Sequence, residues 1–160
     1  MIYLKKLWNK IRNLFKQGLS PHQLALSITI ATVVSIFPAF GLATLVITSL
    51  ALPLKLNLPI MIFVSYVVEP LKILLVIPFI NIGAFLFGAE HTLLSFEAIK
   101  ASYALDFWMT IKDLSYELVC GAAGWALTAL PLSVLLYFLL KKIIHTIVKL
   151  KNYRAYHQNH

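Results

Sequence analysis

A chain of 160 residues would make one soluble domain, but 60% of this one is apolar and only 12% carries charge, against about 25% charge in a typical soluble domain. That is too little polar surface for a water-exposed globule and too much hydrocarbon for a disordered chain. The composition fits a small integral membrane protein. The net charge of +8 sits at the ends, with five bases and no acid in 1–20, the same in 141–160, and four bases against six acids between. Basic ends around an apolar middle are juxtamembrane charge. A nucleic-acid binder would gather its bases on one folded face, so no nucleic-acid partner is expected.

Residues 2–17 carry apolar side chains at 3, 4, 7, 8, 11, 14 and 15, the stripe of an amphipathic helix. Lys5, Lys6, Arg12 and Lys16 fall mainly off that stripe, and Trp8 falls on it. Residues 1–17 therefore read as a basic helix lying in the interface and drawn to anionic head groups. A cleaved signal is not expected, because the apolar run that follows far exceeds a core of about 7–15 residues.

Gly18 ends that helix, and Ser20-Pro21 caps the next. Residues 24–54 hold no charge, which is 31 residues where one crossing needs about 20. Phe37-Pro38-Ala39-Phe40-Gly41 interrupts them. The segment is either one kinked span or a re-entrant pair of half-helices, 22–37 and 42–53, meeting at Pro38–Gly41. Asn57 and Pro59 then open a second apolar block, 58–88. Glu69-Pro70-Leu71-Lys72, Pro78, Asn81 and Gly83 lie inside it, so an interruption near its middle is expected here too.

Residues 90–117 carry five acids against two bases and read as an acidic surface helix or short hairpin outside the cytoplasm. Residues 118–140 are uncharged and form the clearest span, with Gly121, Gly124, Ala122, Ala126 and Thr128 offering small surfaces for close helix contact. Lys141 and Lys142 stop it, and a basic extension runs to the end of the chain at 160. The positive-inside rule places both termini in the cytoplasm, so the number of full crossings is even. A re-entrant first block, with 58–88 crossing outward and 118–140 back, meets that condition and leaves Lys55 cytoplasmic. A crossing first block with a re-entrant second meets it as well. The fold class is all-α and membrane-embedded, with two or three crossing helices, a broken or re-entrant pair (18–89) and amphipathic ends. Non-helical backbone at depth needs protein around it, which points to a homo-oligomer.

Ser20-Pro21-His22, the run Ile36-Phe37-Pro38-Ala39-Phe40-Gly41, Leu56-Asn57-Leu58-Pro59 and Glu69-Pro70-Leu71 resemble the bacterial DUF2062 family, over residues 18–88. The family's second break is typically Asn-Pro, and here Glu69 stands in place of the asparagine. The resemblance implies a small protein of the bacterial cytoplasmic (inner) membrane with no established activity. Some relatives adjoin glycosyltransferase-like domains, which implies envelope chemistry.

Glu69 is the sharpest residue, because an ionisable group deep in an apolar block pairs or lines a polar path. Lys72, one turn on, is its expected partner. Glu69, Pro70, Lys72 and Asn81 form the candidate polar site. Pro38, Phe40, Gly41, Asn57 and Pro59 shape the breaks, and Lys5, Lys6, Trp8, Arg12, Lys16, Lys141 and Lys142 meet lipid. Cys120 is the sole cysteine, and the five histidines lack ligand spacing, so neither metal nor cofactor is expected. No nucleophile-base-acid set or phosphate loop exists, which counts against an enzyme. The expected role is an oligomeric channel, transporter or lipid-moving protein. The alternative is a scaffold or accessory subunit for an envelope enzyme of glycosyltransferase type.

A peptide of residues 1–18 should bind anionic vesicles more tightly than neutral ones, read by Trp8 fluorescence. Replacing Lys5, Lys6, Arg12 and Lys16 with glutamine should remove the difference, at about 1 kcal/mol per base.

Overall fold

The computed structural model describes residues 20–38, 41–88 and 106–158, with the backbone alone for Phe107 and 150–158. The basic segment 1–17, with Lys5, Lys6, Trp8, Arg12 and Lys16, lies outside the described residues, as do Phe40 and 89–105. What is described is all-helical: α1 (Pro21–Ser35), α2 (Leu42–Ala51), α3 (Leu58–Phe87) and α4 (Phe107–Gln158).

Local chemistry sets the helix ends. The Ser20 hydroxyl accepts the amide of Gln23 at 3.2 Å, and the Gln23 side chain accepts the Ser20 amide at 3.2 Å, with Pro21 in the first turn. The chain leaves α1 at Ile36, and α2 begins after Gly41, whose φ of +81° is a conformation glycine adopts without penalty. The break falls where Pro38–Gly41 predicts it. Past α2, Leu56 N donates to Ala51 O and Lys55 N to Leu52 O, with Lys55 itself left-handed at φ +53°. The Asn57 side chain accepts the Ile60 amide at 3.0 Å and starts α3. Ser27 Oγ donates to Gln23 O at 2.7 Å and accepts the Asn57 amide at 3.0 Å, which pins the start of α3 to the first half of α1. The α1–α2 pair thus doubles back on itself.

Two expectations are corrected. α3 runs unbroken through Pro70 and Pro78, where an interruption was predicted. Each proline removes one bond and costs about 3 kcal/mol in a helix interior, but the helix is packed on the other three and its remaining backbone bonds hold it together. α4 likewise passes through Pro131 and starts at Phe107, so residues 107–117 belong to the long helix and not to a separate surface segment. Asp106 accounts for that start. Its carboxylate accepts the Met109 amide at 3.1 Å and its carbonyl accepts the Thr110 hydroxyl at 2.7 Å. The acids of this stretch are also not all outward, since Glu117 is buried.

α3 and α4 pack antiparallel at backbone distance. A side chain at Gly83 would overlap the Cys120 backbone, and one at Gly124 would overlap the Phe79 carbonyl. Gly121 faces Pro38 and Ile80. The small residues at 121 and 124 therefore serve a contact within the chain. One core joins α1, α2 and α3 through Ala31, Ile47, Ala51 and Met61, and another joins α1, α3 and α4 through Leu24, Ala25, Ile60 and Ile144. The starts of α1 and α3 and the later part of α4 consequently share one end of the bundle. α3 and α4 are both long and apolar enough to cross a membrane. Their outward faces carry large exposed apolar residues, as a surface in contact with lipid requires.

Gly83→Ala and Gly124→Ala should each lower stability by about 1–3 kcal/mol, since the helices must separate to admit a methyl group. Because Gly83 N lies 3.1 Å from a Cβ built at Gly124, the two changes relieve one contact, and the double variant should lose less than the sum. Thermal unfolding in detergent checks this.

Candidate functional site

The packed face of α3 includes Met61, Ser65, Lys72, Phe79 and Gly83, a seam at spacings of four and seven. Lys72 occupies the middle of that seam. Its side chain is 1% exposed and is the largest fully buried one among the described residues. A lysine can lie there because four methylenes fill the apolar space and carry the ammonium to a partner. Lys72 Nζ donates to Glu69 Oε1 at 2.7 Å, one turn back along the same helix. The Glu69 side chain is 45% exposed. The pair straddles the protein boundary, with the cation inside and the anion at the surface.

The sequence reading singled out the carboxylate, paired with Lys72; in the structure the two are paired and the lysine is the buried partner. The signal for this was present. Lys72 is seven residues from both Ser65 and Phe79, the repeat of a packed face, and Glu69 is off that repeat. Pro70 is exposed beside the pair. Asn81 is exposed twelve residues further on, about 18 Å along the helix, and is not brought to the pair.

Further polar groups lie inside α1. Ser27 and Ser35 are fully buried and Thr29 nearly so. Ser27 is bonded at both ends, but Thr29 Oγ1 and Ser35 Oγ have no hydrogen-bond partner among the described residues. Such groups cost free energy unless something else satisfies them. Sequence reasoning missed all three, because α1 has almost no amphipathic contrast and its serines and threonines look like tolerated helix residues.

The breaks are held structurally. Phe37 stacks edge-on against Trp125 at 4.9 Å, and Trp125 Nε1 donates to Val33 O at 3.0 Å, next to the end of α1. Gly41 has open space where a side chain would be. Asn57 and Pro59 form the first turn of α3. At the shared end, Lys141 lies over the Tyr137 ring at 5.8 Å, and Tyr137 OH meets His22 Nδ1 at 2.7 Å. Lys141 and Lys142 are exposed there, as interface bases should be. Among the described residues no three His, Cys, Asp or Glu side chains gather to hold a metal.

The DUF2062 family profile, described as an uncharacterized protein conserved in bacteria, matches residues 4–152. The chain belongs to this family. The match takes in the first three helices and the fourth as far as residue 152, and extends well past 18–88, where the local motifs lie. No curated protein and no solved structure matches the chain. In this DUF2062 member the ion pair is asymmetric, and its two halves should respond differently to mutation. Lys72→Met removes a buried charge and leaves a carboxylate at the surface, so stability should change by no more than about 1 kcal/mol. Glu69→Gln leaves the buried ammonium without its carboxylate and should cost about 1–3 kcal/mol. The double variant should return to the level of Lys72→Met. Chemical denaturation of the four proteins in one detergent measures the cycle.

Proposed function

We propose that the chain is the subunit of a homo-oligomeric transport protein of the bacterial cytoplasmic membrane, of the lipid-moving or channel class, with the Glu69–Lys72 pair on the path of what it moves. The observation that carries this reading is the half-exposed Glu69 carboxylate on a helix long enough to span. It sits twelve residues into α3, about 17 Å from the helix start. A carboxylate at that depth has to meet water, protein or a polar solute, because hydrocarbon leaves it uncompensated. A path between copies of the chain supplies that environment.

In this reading α3 crosses outward and α4 returns, with both termini cytoplasmic. The α1–α2 hairpin enters from the cytoplasmic side and turns at Pro38–Gly41. Support comes from the shared end of the bundle, where the starts of α1 and α3 meet Tyr137, Leu140 and Val148 of α4 and where Lys141 and Lys142 are exposed. Lys55, between α2 and α3, is exposed on the same side as that end. Anionic head groups are the natural partners of these bases.

The test is reconstitution of the wild type, Glu69→Gln, Lys72→Met and the double variant into vesicles, with lipid translocation and ion flux read in parallel. The wild type should be active in one assay. Glu69→Gln should be inactive, and the double variant should be stable yet inactive. An active double variant would mean the pair is structural only and would defeat the reading. Labelling of a cysteine at 55 or 141 from outside the cell, with Cys120 replaced, would defeat the topology.

A further inference from the structure

We propose that the outward face of α3 is the contact surface for a second copy of this chain, with the Asn81 amides of the two copies hydrogen-bonded to each other. This names a contact for the homo-oligomer proposed above and rests on that part of the reading, not on transport.

Asn81 is exposed on α3, and its side chain has no hydrogen-bond partner among the described residues. The register that sets Gly83 against Cys120 and Phe79 against Gly124 puts Asn81 level with Ala122. That level is five residues past Glu117, inside the uncharged stretch 118–140, and about 7 Å deep. An amide facing hydrocarbon there loses its bonds to water and gains none in return. Asparagine side chains in membrane helices are satisfied by bonding across to another helix.

The residues around Asn81 have the spacing such a helix needs. Val67, Leu74 and Asn81 recur at seven, with Phe63, Pro70 and Ile77 between them, so the steps alternate four and three. All six are exposed, on the side of α3 opposite the buried Ser65 and Lys72. This alternation is the seam of a left-handed helix pair, the usual crossing of membrane helices. The five apolar members do not choose a partner, because lipid meets them as well as a helix does. The amide chooses. It carries both donors and an acceptor, so a second amide at the same depth satisfies it in both directions, which an acyl chain does not. Two copies inserted with one topology are related by a two-fold axis along the membrane normal, and like residues then meet at like depth. A single asparagine in an apolar seam also fixes the register, since a slip leaves both amides unpaired. Glu69 lies about 120° around the helix from Asn81, off the seam, so the contact leaves its carboxylate uncovered.

The full-length protein, with Cys120→Ala and one new cysteine at a time, is oxidised in membrane vesicles. Leu74→Cys, Ile77→Cys and Asn81→Cys should give disulfide-linked dimers, because a disulfide needs Cα atoms within about 7 Å. Leu135→Cys and Leu139→Cys on α4 should give several-fold less, although Leu135 is 67% and Leu139 57% exposed against 72% for Leu74 and 51% for Ile77. Dimers linked through 135 or 139 and not through 74 or 77 would overturn the proposal and leave a homo-oligomer built on another face. Energy transfer between copies labelled at the N-terminus, in phosphatidylcholine vesicles of increasing lipid content, measures association with Cys120 in place. Asn81→Leu should weaken association several-fold, and Asn81→Gln, which keeps an amide, should recover part of it. Neither change should shift thermal unfolding in detergent, because Asn81 bonds to nothing within the described chain. Undiminished association of Asn81→Leu would overturn the role of the amide. A wild type that never self-associates would defeat both this contact and the homo-oligomer, whereas a dimer linked through 74 and 77 in a protein without transport activity would uphold the contact alone.

Discussion

The backbone contact between α3 and α4 is the constraint on which the other features rest. With no Cβ at Gly83 or Gly124, the two long helices meet carbonyl to Cα. In a membrane no hydrophobic force drives helices together, so their association depends on close packing of this kind. The same stretch of α4 presents Gly121 to Pro38 and Trp125 to Val33 and Phe37. The turn between α1 and α2 is therefore seated on the patch of α4 that also receives α3. One five-residue stretch, Gly121 to Trp125, organises contacts to both of its neighbours.

Within this frame the charge distribution departs from what apolar packing would choose. A lysine takes a core position and an acid takes the surface beside it. Replacing buried pairs by hydrocarbon is often neutral or stabilising, so stability alone does not account for Lys72. The other buried polar groups of α1 and α3, namely Ser27, Thr29, Ser35 and Ser65, also lie on inward faces. These polar groups sit among apolar core residues, so the interior between the helices is not wholly hydrocarbon.

What could be read from the sequence was what is set locally. Ser20-Pro21 and Asn57-Pro59 mark helix starts because a cap acts within three residues. Pro38 and Gly41 mark a break because proline and a left-handed glycine together end a helix. Pro70 and Pro78 look the same in sequence, but they stand in a helix packed on three neighbours, and tertiary packing overrides the local penalty. The pairing of Glu69 with Lys72 was legible from their spacing. Depth along the helix does not show which of the two is buried; the seven-residue repeat Ser65, Lys72, Phe79 does, because it sets which way each residue faces. The carbonyl that Gly124 meets, that of Phe79, is forty-five residues distant, and no local pattern announces it. The acids of 106–117 suggested a surface segment, yet Asp106 uses its charge to start a helix.

The proline positions in the two long helices have a mechanical consequence. Each removes one rung from the hydrogen-bond ladder, at the carbonyls of Tyr66, Leu74 and Leu127. The antiparallel register set by Gly83 against Cys120 and Phe79 against Gly124 puts Pro131 at the height of Lys72, within a turn of Pro70. Both long helices therefore weaken at one level, and the ion pair lies at that level. Bending costs least where rungs are missing. A bend of the bundle would fall at that level, and the buried ammonium of Lys72 would sit where it falls.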